Sequence, residues 1–364
     1  MRIGIVCYPT FGGSGVVATE LGMALAEEGH IVHFITYDRP VRLPHAQANV
    51  FYHEVRVSDY PLFDYQPYEL VLSSRLVDVV LHERLDLLHV HYAIPHASAA
   101  WMAQQILLSK GIRIPFITTL HGTDITLVGR DAVTAVSESH QADTYEHFPV
   151  KRDIRVIPNF IRLERYAGTR DEALRQRYAP NGEKLLVHVS NFRPVKRVED
   201  VVNVFRKVRE RMPARLLLIG DGPDRSRIEN MCRGCTYEGD MLLLGKMTSP
   251  EAVVGSADLF LLTSETESFG LAALEARACG VPVVSTDTGG TPEVNTNGVS
   301  GLLAPVGDVD LMAAAALEIL GDEATHARYR AGALKEAARF SVERVLPRYE
   351  ALYREVIEAA SAGA

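Results

Sequence analysis

An α/β protein made of two doubly wound parallel sheets is predicted by three features: short apolar runs alternate with amphipathic helical stretches, the alternation stops and restarts midway, and glycine-rich turns follow strand ends. In the first half the strands are read at residues 3–8, 31–37, 50–55, 87–92, 116–121, 133–137 and 155–158. Residues 16–28 and 67–83 are the clearest helices between them. In the second half strands are read at 185–190, 215–220, 241–245, 258–263 and 282–286, again with helices between. Strand character ceases over 158–182, where the charged stretch Arg162 to Arg177 intervenes, so residues 1–160 and 161–341 are expected to form separate domains. A last amphipathic segment, 342–360, has no strand after it and is expected to pack on either domain, the first included. Each sheet would present the carboxyl ends of its strands to a shared cleft.

One interval conflicts with this pattern. Residues 122–132 are too few for a crossover helix between parallel neighbours. Either the connection is unusual or the sequence lacks residues between Val128 and Ala132. The second reading is adopted, because Asp124 to Gly129 runs into Arg130-Asp131 with no turn or cap.

Composition narrows the functional classes. The chain has 364 residues, 47% hydrophobic and 23% charged, enough for two ordinary domains. A net charge of −8 argues against a broad nucleic-acid or anionic-membrane surface, so any anion site must be local. No apolar run reaches membrane-spanning length and the N-terminus lacks a signal-peptide pattern, which predicts a cytoplasmic protein with no stable membrane insertion. Four cysteines are too few for a disulfide framework; Cys232-Arg-Gly-Cys235 has half-site spacing without a second pair, and is read as incidental.

The strongest chemical signal is Ser264-Glu-Thr-Glu-Ser-Phe-Gly-Leu-Ala-Ala-Leu-Glu275. A buried strand ends just before it and a helix opens at Gly270-Leu271, so Glu267 falls in the loop and Glu275 about one and a half turns into the helix. The amides of Gly270 and Leu271, backed by the helix dipole, favour a diphosphate. The two carboxylates can each accept hydrogen bonds from vicinal hydroxyls, one set on a ribose and one on a hexose. The alternative is that both glutamates merely complement the helix end. Arg193 and Lys196, in Ser190-Asn-Phe-Arg-Pro-Val-Lys-Arg197 at another strand's carboxyl end, are placed to reach the same diphosphate; solvated loop charge is the alternative. Gly220-Asp-Gly-Pro223 is a turn that would wall the pocket.

In the first half, Gly12-Gly-Ser-Gly15 opens the first helix and suits a bound anion. Gly13-x-Gly15-x-x-Ala18, with Asp38 beyond the second strand, even fits a dinucleotide fingerprint, but Pro9 to Gly12 separate it from the strand and no nicotinamide site follows. His89 and His91 share one strand face and would make either a metal pair or, as preferred here, part of a polar cleft floor with Tyr92. His121-Gly-Thr-Asp124 stands where catalytic groups collect.

These residues resemble a known family. Glu267 to Glu275 is similar to the Glu-x7-Glu motif of the retaining GT-B glycosyltransferases of glycosyltransferase family 4, and the likeness runs through essentially the whole chain. Residues 1–22, 89–97, 120–126 and 190–197 look like the branch that transfers N-acetylglucosamine to L-malate at the start of bacillithiol synthesis. The resemblance implies a GT-B fold, two Rossmann-like domains facing across a cleft. It implies UDP-GlcNAc as donor, L-malate as acceptor and no cofactor or metal, and it leaves a homo-oligomer open.

By the same resemblance Glu275 would hold the uridine ribose and Glu267 the transferred sugar. Phe269, Gly270 and Leu271 would lie at the diphosphate, with Arg193 and Lys196 replacing a divalent metal there. Gly13 would approach the diphosphate from the other domain, and His121 would contact the sugar. For the dianionic acceptor, Ser14 and Gly15 at the helix entrance would meet its carboxylates, with Tyr92 and Thr119 as hydroxyl donors. Gly15 has a simpler alternative, that it permits tight helix and strand packing. Two features depart from the family: Arg162 stands where many members carry Asp, and the stretch after Gly129 lacks the helix that relatives place near the acceptor. Other acceptors (an inositol phosphate, a lipid, a sugar), a GT-B epimerase and a noncatalytic binding protein remain alternatives.

Overall fold

The inner strands are built from β-branched and leucine-rich runs buried along nearly their full length, as strands covered by helices on both faces must be, whereas the edge strands at 50–54, 154–156, 241–245 and 301–304 are only partly buried. A computed structural model describes residues 1–10, 13–56, 68–122 and 131–362. It divides into two units, residues 1–160 with 342–364, and residues 161–341.

In the first unit seven strands, β1 (Arg2–Val6), β2 (Ile31–Thr36), β3 (Val50–Glu54), β4 (Leu87–His91), β5 (Phe116–Leu120), β6 (Ala132–Ala135) and β7 (Ile154–Val156), form one sheet. Their order is β3-β2-β1-β4-β5-β6-β7, and every pair is parallel. The second unit repeats the winding. β8 (Lys184–Ser190), β9 (Ala214–Gly220), β10 (Met241–Gly245), β11 (Leu259–Leu262), β12 (Val283–Thr286) and β13 (Gly301–Ala304) run β10-β9-β8-β11-β12-β13, all parallel. The strand order reverses between β1 and β4 in the first sheet and between β8 and β11 in the second, so in each unit the two loops leaving those strands are neighbours at the carboxyl edge of their own sheet, where open α/β sheets bind ligands.

β13 is absent from the sequence reading. Gly301-Leu-Leu-Ala304 is four residues with no alternation, and only its pairing with Val283–Thr286 makes it a strand. At the interval that resisted assignment, β5 and β6 are adjacent and parallel, with Ile117 opposite Ala132. Thr123 to Arg130, including Asp124, lie outside the described residues, as does Gly12.

Each unit has its own core. The helix Val342–Ala362 packs Val345, Leu346, Tyr349, Leu352, Tyr353 and Val356 against Ile3, Ile5 and Leu21 of the first unit. Such burial contributes about 1.5–3 kcal/mol per large apolar side chain. The charged stretch after the break belongs to the second unit, where Arg175 meets buried Asp258 at 3.0 Å and Arg165 pairs with Glu251. Cys232 and Cys235 are free thiols. Among the described residues no helix is long and apolar enough to cross a membrane.

Candidate active site

In the second unit, the loop after β8 and the loop after β11 are stapled together. Glu265 N donates to Val195 O at 2.8 Å, and Thr263 Oγ1 reaches Lys196 O at 2.9 Å and Arg197 O at 3.0 Å. This brings Lys196 Nζ to 2.5 Å from Glu267 Oε1, to which Ser264 Oγ also donates at 2.8 Å. Both side chains are largely shielded, 21% and 13% exposed, so solvent weakens this pair less than it would one on the open surface. The chain just beyond β12 supports the loop from the far side. Gly290 N donates to Glu267 O at 2.8 Å, and a Cβ at Gly289 would lie 2.1 Å from that same carbonyl. Gly289 has φ +55°, so only glycine supplies both the conformation and the clearance. Sequence inspection missed Gly289-Gly290, although adjacent glycines directly after a strand were the available signal.

Beneath this loop His188 is fully buried, its Nδ1 2.9 Å from Leu261 O and its Nε2 2.8 Å from Ser190 Oγ. Burial pushes its pKa down to about 4, the Lys196 charge acts in the same direction, and Glu267 opposes it. His188 is therefore a neutral strut, another residue that sequence inspection did not single out.

Gly270 caps the helix Leu271–Ala278 in the left-handed conformation, φ +88°. The first amides of any α-helix have no intrahelical acceptor, so this end retains donor capacity. Glu275 sits on that helix, half-buried, and accepts from the hydroxyl of buried Tyr166 at 2.9 Å. Tyr166, an aromatic inside a charged stretch, carried no sequence signal. The ring of Phe269 points inward and packs edge-on against Phe340 at 5.5 Å, so Phe269 offers a ligand only its backbone. Arg193 is exposed just before the short helical turn Pro194–Lys196. The Gly220–Pro223 turn abuts the same loop, with Asp224 N donating to Phe192 O at 2.9 Å.

The first unit has its own cluster at the β1/β4 switch. Ser14 Oγ lies 3.1 Å from Tyr92 OH, so two of the predicted acceptor groups meet. Tyr92 has φ +80°, a strained conformation for a side-chain-bearing residue, secured where its N–H donates to Thr119 O at 3.1 Å. Its ring is 5.4 Å from that of His121, which is half-buried and pairs its Nε2 with His91 Nδ1 at 2.9 Å. Burial lowers His121 to about 3, helped by His89 and His140. It stands as a neutral hydrogen-bonding group at pH 7. Gly13, the first residue of the helix Gly13–Glu27, is exposed.

Three expectations change here. Thr119, expected as a hydroxyl donor to the acceptor, is fully buried, its Oγ1 within 2.7 Å of both His89 Nε2 and Thr134 Oγ1. His89 and His91 are not a cleft floor but core residues, both 0% exposed. With its Nδ1 2.7 Å from Tyr353 OH, His89 has both nitrogens engaged, which excludes the metal pair in this arrangement. Gly15 lies against the loop after β1, where a Cβ would fall 2.4 Å from Tyr8 O, so its packing alternative accounts for it. Gly15→Val is accordingly expected to destabilise the protein by about 1–3 kcal/mol, read as a lowered melting temperature. An unchanged melting temperature with a selectively raised KM for the acceptor would return Gly15 to the ligand.

Comparison with known proteins agrees with this architecture. Residues 11–165 match the family described as Glycosyltransferase Family 4, and residues 169–336 match Glycosyl transferases group 1. The fold resembles sucrose-phosphate synthase from Thermosynechococcus elongatus, with TM-score 0.81 and 21% identity, covering 99% of this chain and 100% of that one. Two repeated doubly wound units with a Glu-x7-Glu loop thus define a GT-B glycosyltransferase, and the chain belongs to glycosyltransferase family 4. Within the family it is 44% identical to N-acetyl-alpha-D-glucosaminyl L-malate synthase of Bacillus anthracis, covering 98% of this chain and 97% of that protein. It is 26% identical to D-inositol 3-phosphate glycosyltransferase of Thermobispora bispora, over 95% of this chain and 90% of that one.

Proposed function

We propose that this chain transfers N-acetylglucosamine from UDP-GlcNAc to the hydroxyl of L-malate, with retention at the anomeric carbon, as the first step of bacillithiol biosynthesis. The observation that carries this reading is the near full-length 44% identity to the malate synthase. The reaction belongs to the cytoplasm, where a free nucleotide sugar would be met.

In the second unit, Glu275 binds the ribose hydroxyls, Glu267 those of the transferred sugar, and the backbone at Phe269, Gly270 and Leu271 the diphosphate. Arg193 and Lys196 neutralise the departing phosphate. The 2.5 Å Lys196–Glu267 contact supports that assignment, since it sets an ammonium beside the carboxylate that would hold the sugar. In the first unit, Ser14 and Tyr92 receive malate and Gly13 and His121 contribute donor contacts. Attack on the sugar's own leaving-group face passes the malate hydroxyl proton to the leaving phosphate oxygen as the C1–O bond to UDP breaks and the new glycosidic bond forms. The oxocarbenium-like centre is stabilised electrostatically.

The test is UDP release from UDP-GlcNAc with hydroxy acids, polyols, sugars and inositol phosphate as acceptors, in EDTA. Malate-dependent release that survives chelation is expected. Release driven by inositol phosphate and not by malate overturns the acceptor. Loss in EDTA, restored by magnesium or manganese, overturns the metal-free phosphate site.

A further inference from the structure

Away from these clusters, at the β3 edge of the first unit's sheet, three side chains distant in sequence converge. His33 on β2, His53 on β3 and Glu83, the last residue of the helix Tyr68–Glu83, each bring a ligand atom within 4.8 Å of the other two. His33 Nδ1 lies 2.9 Å from His53 Nε2, with the two rings stacked at 5.2 Å. His33 is completely buried, which fixes its Nδ1 beside His53 Nε2. Phe51 stacks on the His33 ring at 5.0 Å and holds its orientation. His53 and Glu83 are only half-buried, which leaves a route from solvent.

We infer that His33, His53 and Glu83 form a zinc-class site: a borderline divalent cation held by two imidazoles and one carboxylate, the fourth position open to water. The donor set suits Zn²⁺ and excludes Mg²⁺ and Ca²⁺, which take all-oxygen shells. Zn–N bonds of about 2.0–2.1 Å at a tetrahedral angle place two ligand nitrogens about 3.3 Å apart, so the imidazoles need separate by only a few tenths of an ångström. Two guanidiniums face the cluster: Arg2 donates to Glu83 Oε2 at 3.3 Å, leaving Oε1 for the cation, and Arg75 acts on His53, where Glu83 opposes it. Burial, first, and the His53 charge hold His33 down at about 4, so it stays an unprotonated ligand at neutral pH. None of the three belongs to the proposed transfer site, and the site would brace the sheet edge rather than take part in the reaction.

The experiment titrates zinc alone into the EDTA-stripped, chelator-free full chain, in competition with a chromogenic chelator. One tight equivalent is expected, with a raised melting temperature. Affinity should fall tenfold or more in His53→Gln and measurably in Glu83→Gln, and stay unchanged in Cys235→Ser. The cobalt(II) form should show visible d–d bands of a four-coordinate nitrogen and oxygen site. Absence of a stoichiometric equivalent overturns the inference, as does equal affinity in folded His53→Gln and Glu83→Gln. Should circular dichroism show His53→Gln unfolded, Glu83→Gln on the half-exposed helix end decides alone.

Discussion

Lys196→Ala is expected to lower kcat on the order of a hundred- to a thousandfold, the range found when one preorganised group facing developing charge is removed. Two effects combine. The ammonium that would meet the departing phosphate is gone, and Glu267 loses its 2.5 Å partner while keeping the 2.8 Å contact from Ser264. Lys196→Arg separates them. It keeps the charge but cannot place a planar guanidinium where a compact ammonium sat, so an intermediate kcat is expected with a normal melting temperature. Steady-state kinetics at saturating UDP-GlcNAc and malate read the result. A folded Lys196→Ala variant with kcat within a fewfold of the parent would remove Lys196 from the chemistry.

Glu275→Ala acts on binding instead. Loss of a charged acceptor for ribose hydroxyls is expected to weaken UDP by about 1.5–3 kcal/mol, or roughly tenfold to a hundredfold in Kd. The same change strips buried Tyr166 of the 2.9 Å contact to Glu275 Oε1, so some stability is also expected to go. Tyr166→Phe removes that hydrogen bond but keeps the carboxylate, and should leave UDP affinity near normal. Calorimetry with UDP on both variants settles the matter: unchanged affinity in folded Glu275→Ala would refute the ribose assignment.

Much of the fold was legible because both sheets are parallel and covered on both faces, which makes their strands continuous apolar runs separated by helical periodicity. β13 escaped because four apolar residues carry no period, and its identity rests on pairing with β12. At the site, the Glu267 to Glu275 loop was readable from a strand, a glycine and a helix start in succession. Gly289-Gly290, which admit the Glu267 carbonyl, and His188, which ties Leu261 to Ser190, were not, since they act through contacts between elements and not through any local pattern.

By itself the sequence determined the architecture class, the strand, loop and helix succession around Glu267 and Glu275, and the family, all properties carried by contiguous residues. Tertiary structure alone decided which groups meet. Strand order placed the loops after β8 and β11 side by side and so paired Lys196 with Glu267, and the β1/β4 switch did the same for Ser14 and Tyr92. It also withdrew Thr119 and His89 into a buried network, turned the Phe269 ring inward, and gathered His33, His53 and Glu83 from separate elements. The physical reason is that periodicity reports which face of an element is buried, whereas distances between side chains on different elements follow from sheet order and register, which no local window of sequence contains.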